Sequence, residues 1–167
     1  MNYDAWVEWY DVIYASRRVD EVEFYVQLAR QSGGPVLEVG VGTGRIAIPS
    51  AQCGIEVVGI DANQPMLDAA ARKVADAELG SGSLELVVAD MRTFDLGRQF
   101  ALVTAPSRTL LLATTQHEQR AAINRFAAHV TPGGLLAFNV FAPDPGLIAD
   151  DESTEFLWGE STNPANG

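Results

Sequence analysis

Two periodicities of apolar residues alternate along this chain. Short apolar runs, which are typical of buried strands, are separated by stretches in which apolar residues recur every three or four positions, as they do in amphipathic helices. The strands are predicted at 35–39, 55–60, 84–88, 100–105 and 135–141. Because helices separate strands that are apolar throughout, we expect an α/β fold: a Rossmann-like, doubly wound, mainly parallel sheet with helices on both faces.

Capping residues support this alternation at two helix starts. Asn63 is predicted to cap a helix that has Pro65 in its first turn. Thr115 and Glu118 have the spacing of a capping box, and they would begin the helix before the fifth strand. Pro132-Gly-Gly134 is predicted to form the turn between that helix and the strand.

Composition narrows the range of functions. The chain has 167 residues, a formal net charge of −11 and a single cysteine. Such a charge repels a phosphate backbone, so we expect a small-molecule ligand and no nucleic acid. Apolar runs are all shorter than a membrane span, and no secretory signal is evident at the N-terminus, so we predict no membrane association and a cytoplasmic location. One cysteine cannot form an internal disulfide and fits a reducing compartment.

The most informative segment follows the first strand. Gly40-Val-Gly-Thr-Gly44 lies between a strand and a helix, where glycines permit a tight turn and close approach of a ligand to the main chain. Gly42 to Ala47 fits the dinucleotide pattern. Glu38 to Gly44 instead resembles the first motif of class I methyltransferases, an acidic residue followed by alternating glycines. A tight turn without any ligand is the third interpretation.

Acidic residues at successive strand ends favour S-adenosylmethionine. Ligands of parallel sheets bind beyond the carboxyl ends of the strands. Asp61, after the second strand, can accept hydrogen bonds from both ribose hydroxyls of either cofactor. Asp90 and Met91, after the third strand, suit an adenine ring. Glu38 suits the cationic amino group of a methionine moiety and would repel a pyrophosphate.

Together these segments resemble the ordered motifs of class I S-adenosylmethionine-dependent methyltransferases of the small-molecule type. The motifs lie at 35–47, 58–67, 88–92 and 132–136, and the resemblance covers 10–143. It implies an enzyme that transfers a methyl group to a small-molecule acceptor by in-line displacement and releases S-adenosylhomocysteine. Such a reaction depends mainly on holding the acceptor in position.

The resemblance also implies roles for individual residues. Those expected to bind the cofactor are Tyr14, Glu38, Gly40, Val41, Gly42, Gly44, Asp61, Ala62, Met66, Asp90, Met91 and Ala105. Those expected to face the acceptor are Tyr10, Pro106, Ser107 and Arg108. We assign no metal ligand and no catalytic residue, because His117 and His129 fit solvated or packed side chains better than a general base.

The C-terminal part departs from the family pattern. We expect a cofactor-binding domain over 1–146, with a helical lid at 1–34, and a short tail at 147–167 that contains one strand at 154–158. Family members usually add an antiparallel strand pair, most of which is missing here. The unpaired strand at 135–141 would then invite a homodimer. Three interpretations stay open: a truncated gene product, a short protein that dimerises, and a cofactor-binding remnant or partner without catalysis. An NAD-dependent oxidoreductase domain is a further alternative.

Overall fold

The structure, a computed structural model, describes residues 7–14 and 19–142. The tail predicted at 147–167, with its strand, and the start of the lid segment lie outside these residues. The helices are α1 Val7–Tyr14, α2 Val19–Ser32, α3 Ala47–Gln52, α4 Gln64–Asp76 and α5 Gln116–Ala128. The strands are β1 Val36–Val39, β2 Glu56–Asp61, β3 Ser83–Val88, β4 Phe100–Ala105 and β5 Val130–Phe138. A 3-10 helix, Thr109–Leu112, follows β4 and was not predicted.

The five strands form one parallel sheet in the order β3-β2-β1-β4-β5. The chain adds strands on one side of β1 and then returns to add β4 and β5 on the other. The predicted doubly wound, Rossmann-like fold is therefore confirmed. The strand order reverses between β1 and β4, so the carboxyl ends of these two strands mark the place where such sheets bind ligands.

Helices cover both faces of the sheet, and β1 is therefore buried along its whole length. Leu37 and Val39 point to one face, where they pack in a cluster with Phe126 of α5. Val36 points to the other face, in a cluster with Ala29 of α2 and residues of α3 and α4. This alternation explains why the strands are apolar throughout.

Both predicted helix starts are present. The side chain of Asn63 accepts a hydrogen bond from the backbone N–H of Met66 at 2.9 Å. Glu118 donates its backbone N–H to the Thr115 hydroxyl at 3.2 Å, and its carboxylate accepts the Thr115 N–H at 3.2 Å. The capping box of α5 is thus complete.

The predicted boundary of the fifth strand was wrong. β5 begins at Val130, and the segment expected to be a turn lies inside it. Phe100 pairs with Val130 and Leu102 with Leu135, so residues 131–134 stand opposite Ala101 alone. The glycine-containing turn therefore forms a bulge within the strand and does not precede it.

The outer edge of β5 has no neighbouring strand in the described part of the chain. Leu135 and Phe138 are among the exposed large apolar residues there. The homodimer expected through this edge stays a prediction. In 7–14 and 19–142, no helix is long and apolar enough to cross a membrane.

Candidate functional site

Two adjoining cavities lie at the carboxyl ends of the strands. The larger has a volume of about 400 Å³ and the smaller about 100 Å³. Residues that line both are Gly40, Asp61, Asn63, Thr109 and Leu112. Ala62, Asp90 and Met91 line only the larger cavity, whereas Tyr10, Tyr14, Gly42, Met66 and Ser107 line only the smaller one.

The glycine loop is folded onto the end of β2. The backbone N–H groups of Gly40 and Val41 donate to the carbonyl oxygen of Ile60 at 2.8 and 3.0 Å, and that of Gly42 donates to the Asp61 carboxylate at 2.9 Å. Gly40 has φ +72°, and a Cβ there would stand 2.4 Å from the Thr109 side chain. Only glycine therefore fits this position without a local shift.

Asp61 lies at the junction of the two cavities. Its second carboxylate oxygen accepts the backbone N–H of Asn63 at 2.9 Å. Burial raises the pKa of Asp61, although hydrogen bonds from Asn63 and Gly42 oppose this effect. The backbone N–H of Ala62 also contributes to stabilising the charged carboxylate. A carboxylate offers about four acceptor sites, so Asp61 keeps capacity to accept a hydrogen bond from a ligand hydroxyl beyond these backbone donors.

Asp90 is engaged by an arginine that was not predicted. The Nε atom of Arg92 lies 2.9 and 3.1 Å from the two Asp90 oxygens, and the same guanidinium also pairs with Glu118 of α5. The hydrogen bond from Arg92 lowers the pKa of Asp90. Asp90 is therefore anionic and already paired, and its contact with an adenine amine stays a prediction.

Glu38 lies away from both cavities. It is 3% exposed within β1. Burial raises its pKa to about 8, and the charge of Arg45 opposes that rise only in part. At neutral pH the Glu38 carboxyl is thus mostly protonated, so the charged contact expected from the sequence requires loss of a proton.

The sixteen residues predicted to bind the cofactor or face the acceptor fall into two groups: those that line a cavity and those that do not. The ten that line a cavity are Tyr10, Tyr14, Gly40, Gly42, Asp61, Ala62, Met66, Asp90, Met91 and Ser107. The six that line neither are Glu38, Val41, Gly44, Ala105, Pro106 and Arg108. Val41 and Ala105 are buried in the core clusters, and a Cβ on Gly44 would meet Ile48. The structure therefore gives no support to side-chain contacts between these six and a ligand.

Helix α1 is tied to the glycine loop. The Thr43 hydroxyl donates to the Asp11 carboxylate at 2.7 Å, and Lys73 of α4 pairs with the same carboxylate. The rings of Tyr10 and Tyr14 lie 4.6 Å apart, where they border the smaller cavity. The position of α1 is compatible with the predicted lid.

Neither histidine lies at the site. His129 is buried, its Nδ1 lies 2.7 Å from the Arg125 carbonyl oxygen, and its Nε2 accepts the Leu96 N–H at 3.1 Å. These contacts describe an imidazole that is packed in the fold and lines neither cavity. His117 is exposed on α5. Within the described residues, no cluster of side chains has the composition of a metal site.

Six cavity residues were missed by sequence reasoning. Asn63, Thr109 and Leu112 line both cavities, and Val39, Ala89 and Arg92 line only the larger one. Asn63 was recognised only as a helix cap. Thr109 and Leu112 belong to the 3-10 helix after β4, which has no periodic pattern. The strand-end rule that found Asp61 could have suggested the segment after Ser107, but it could not have chosen residues within it.

Comparison with known proteins finds a family match over the part of the chain that carries this site. A family model described as a methyltransferase domain matches residues 36–134, which include the glycine loop, Asp61 and Asp90. The chain belongs to this family. The predicted resemblance to class I S-adenosylmethionine-dependent methyltransferases is thereby confirmed, and the dinucleotide alternative is not supported.

Relatives in this methyltransferase family include two enzymes whose names specify an acceptor. The chain is 35% identical over 111 residues to the cypemycin N-terminal methyltransferase of a Streptomyces species, a match that covers 66% of this chain and 43% of the relative. It is 33% identical over 135 residues to dTDP-3-amino-3,6-dideoxy-alpha-D-glucopyranose N,N-dimethyltransferase of Streptomyces fradiae, covering 77% of this chain and 50% of that enzyme.

Solved structures of methyltransferases share the fold. The CcbJ methyltransferase from Streptomyces caelestis is 32% identical, with a TM-score of 0.65, over 71% of this chain and 48% of that one. The S-adenosylmethionine-bound amino pentose methyltransferase CalS10 from Micromonospora echinaspora is 29% identical, with a TM-score of 0.64, over 74% and 50%. The chain thus spans about half the length of these relatives.

Proposed function

We propose that this chain binds S-adenosylmethionine in the two adjoining cavities and that the protein transfers the methyl group to a small molecule. The observation that carries the proposal is the position of Asp61. Its carboxylate is held by the N–H of Gly42 and lies where the larger cavity meets the smaller one. A nucleoside with an extended arm needs such a junction, with hydroxyl acceptors between two compartments.

The cavities fit this ligand in size and chemistry. A volume of about 400 Å³ falls in the range of small-molecule pockets. Ala62 and Met91 give the larger cavity apolar walls that suit an adenine ring. In the smaller cavity, the space beside Gly42 is open, because a Cβ there would come no closer than 4.0 Å to Tyr10. The methionine arm would lie in this space, against the main chain.

The contribution of this chain to catalysis would be positioning. The sulfonium of the cofactor, when bound, supplies an electrophilic methyl group. The glycine loop and Asp61 would fix the nucleoside, while Tyr10 and Tyr14 would shield the smaller cavity from water. Because in-line transfer needs a base only when the acceptor must lose a proton, the absence of a histidine from the cavity walls is compatible with the reaction.

The acceptor class is proposed from the relatives and the charge. The relatives include two N,N-dimethyltransferases of dTDP-linked amino sugars and the nocamycin O-methyltransferase of Saccharothrix syringae. A net charge of −11 disfavours a nucleic-acid acceptor. We therefore infer a small-molecule acceptor that presents a nitrogen or oxygen nucleophile.

Calorimetric titration tests the cofactor. S-adenosylhomocysteine should bind saturably and NADH should not. Asp61→Asn should weaken binding of S-adenosylhomocysteine by about tenfold or more, because hydrogen bonds to a charged acceptor are lost. Asp68→Asn is the matched control, since Asp68 is exposed on α4, where its carboxylate accepts a hydrogen bond from the Gln64 side chain at 2.7 Å.

Two results of these titrations would contradict different parts of the proposal. Saturable binding of NADH without heat from S-adenosylhomocysteine would overturn the proposal. Equal affinities for the Asp61 and Asp68 variants would show that Asp61 does not bind the ribose. Methyl transfer would then be followed with isotopically labelled S-adenosylmethionine and a panel of amino sugars, and labelled acceptor is the expected product.

A further inference from the structure

A single carboxylate gathers donors from three distant parts of the chain. Glu21 of α2 accepts hydrogen bonds from the Arg45 guanidinium, from the Ser107 backbone N–H at 2.9 Å and from the Asn139 side-chain amide at 2.7 Å. The Ser107 hydroxyl is a further donor at 3.3 Å. Glu21 thereby joins the segment after the glycine loop, the segment after β4 and the end of β5.

The segment after β4 is strained where these donors attach. Ser107 has φ +55° and Arg108 has φ +63°, and they are the two non-glycine residues with positive φ in the described part of the chain. L-residues rarely adopt this conformation, which persists only where the surroundings enforce it. The N–H of Ser107 is held by Glu21, and the N–H of Arg108 is held by the Asn139 side-chain oxygen at 2.8 Å.

This strained segment forms one wall of the proposed cofactor site. Ser107 lines the smaller cavity, and Thr109 lines both. Asp90 and Met91 line only the larger cavity. Ser107, to which Glu21 is hydrogen-bonded, therefore faces the compartment that would hold the amino-acid arm and the transferred methyl group, whereas Thr109 borders both compartments.

We propose that Glu21 is a positioning residue, which holds the Ser107–Thr109 segment in its strained conformation and so shapes the compartment for the amino-acid arm of the cofactor. This inference rests on the proposed function of the two cavities. Glu21 acts through Ser107 and Asn139 and does not itself line either cavity.

The hydrogen-bond chemistry requires an ionised carboxylate. All partners of Glu21 in this cluster are donors, and its side chain is 10% exposed. Burial would raise the pKa of Glu21, but the hydrogen bonds from Arg45, Asn139 and Ser107 outweigh this effect and lower the pKa. A glutamine of the same shape has one acceptor oxygen and one donating amide, so half of the donors would lose their partner.

The test compares two ligands that differ only at the amino-acid arm. S-adenosylhomocysteine carries the arm, whereas 5′-methylthioadenosine keeps the nucleoside and sulfur without it. In Glu21→Gln, calorimetry should show affinity for S-adenosylhomocysteine reduced by about tenfold, and affinity for 5′-methylthioadenosine changed by less than about twofold. Glu23→Gln removes the same charge from an exposed position on the same helix and should leave both affinities unchanged.

A second variant keeps the test independent of folding. Asn139→Ala releases the Arg108 N–H while Glu21 keeps Arg45 and Ser107. It should weaken binding of S-adenosylhomocysteine more than binding of 5′-methylthioadenosine, and the loss should be smaller than that caused by Glu21→Gln. Equal weakening of both ligands by Glu21→Gln would indicate general destabilisation and would overturn the inference, as would unchanged binding. Failure of wild-type protein to bind either ligand would instead overturn the proposed function.

Discussion

Gly40 offers the sharpest test of the site geometry. Replacing it with alanine has two separable costs. The residue has φ +72°, and its added Cβ would stand 2.4 Å from Cγ2 and 2.6 Å from Oγ1 of Thr109. Left-handed backbone costs an L-residue about 1–2 kcal/mol, and overpacking costs about 1–3 kcal/mol more. We therefore expect Gly40→Ala to lower the free energy of unfolding by about 2–5 kcal/mol.

A matched variant isolates the steric part. Gly133 has φ +80°, and a Cβ there would meet no heavy atom within 4 Å. Gly133→Ala should therefore cost only the backbone term, about 1–2 kcal/mol. Urea unfolding followed by circular dichroism gives both values, provided that the slope with denaturant is unchanged. Because Thr109 lines both cavities, Gly40→Ala should also weaken S-adenosylhomocysteine, whereas Gly133→Ala should not.

A double-mutant cycle closes this test. Thr109→Ala removes the two closest atoms but leaves a Cβ at 3.1 Å, and it breaks the hydrogen bond of Thr109 to the Pro106 carbonyl. Alone it should cost about 1 kcal/mol. In the double variant with Gly40→Ala, the loss in free energy of unfolding should be smaller than the sum of the two single losses by about 1 kcal/mol or more. Equal costs for the two glycine variants, together with additive effects of Thr109→Ala, would refute the predicted clash.

Three further predictions concern other parts of the molecule. Thr115→Ala should lower the free energy of unfolding by about 1 kcal/mol in urea titrations, because it removes the capping box of α5; no change would mean that the cap is not formed. Burial raises the pKa of Glu38 from 4.5 to about 8, so stability should fall as pH rises between these values. Glu38→Gln should flatten that slope in unfolding measured at several pH values, and a slope equal to wild type would contradict the assignment. Pairing of the β5 edge predicts a mass near twice 17.9 kDa by sedimentation, and a monomer would exclude it.

Local rules account for the parts of the fold that the sequence predicted correctly. Asn63 and the Thr115–Glu118 pair satisfy backbone donors a few residues away, so their role can be predicted from spacing alone. The apolar strands fix the layer order because a strand buried on both faces needs helices on both sides. The predicted start of β5 was wrong because local rules do not reach that far. A bulge depends on the register with β4, which no local pattern specifies.

From residue chemistry alone, the candidate site was predictable where an acidic residue or the glycine loop follows a strand. Tyr10, Tyr14 and Met66, which also line a cavity, were expected only from the family resemblance. Asp61 follows β2 directly, and its position at the cavity junction follows from parallel topology. Glu38 belongs to the same motif as the glycine loop but lies within β1, between β2 and β4. Its burial, and with it the rise in its pKa, could therefore not be predicted from its place in the motif.

The Glu21 cluster shows why the remainder was out of reach. Its partners Arg45, Ser107 and Asn139 are 24, 86 and 118 residues away in the chain. Ser107 carries no feature in the sequence that signals positive φ, since the conformation is imposed by donors and acceptors brought by other elements. A strained loop of this kind is readily recognised in the structure but leaves no pattern in the sequence. Many of the residues that line the cavities can thus be anticipated from motifs, whereas the residues that hold the cavity walls in place cannot.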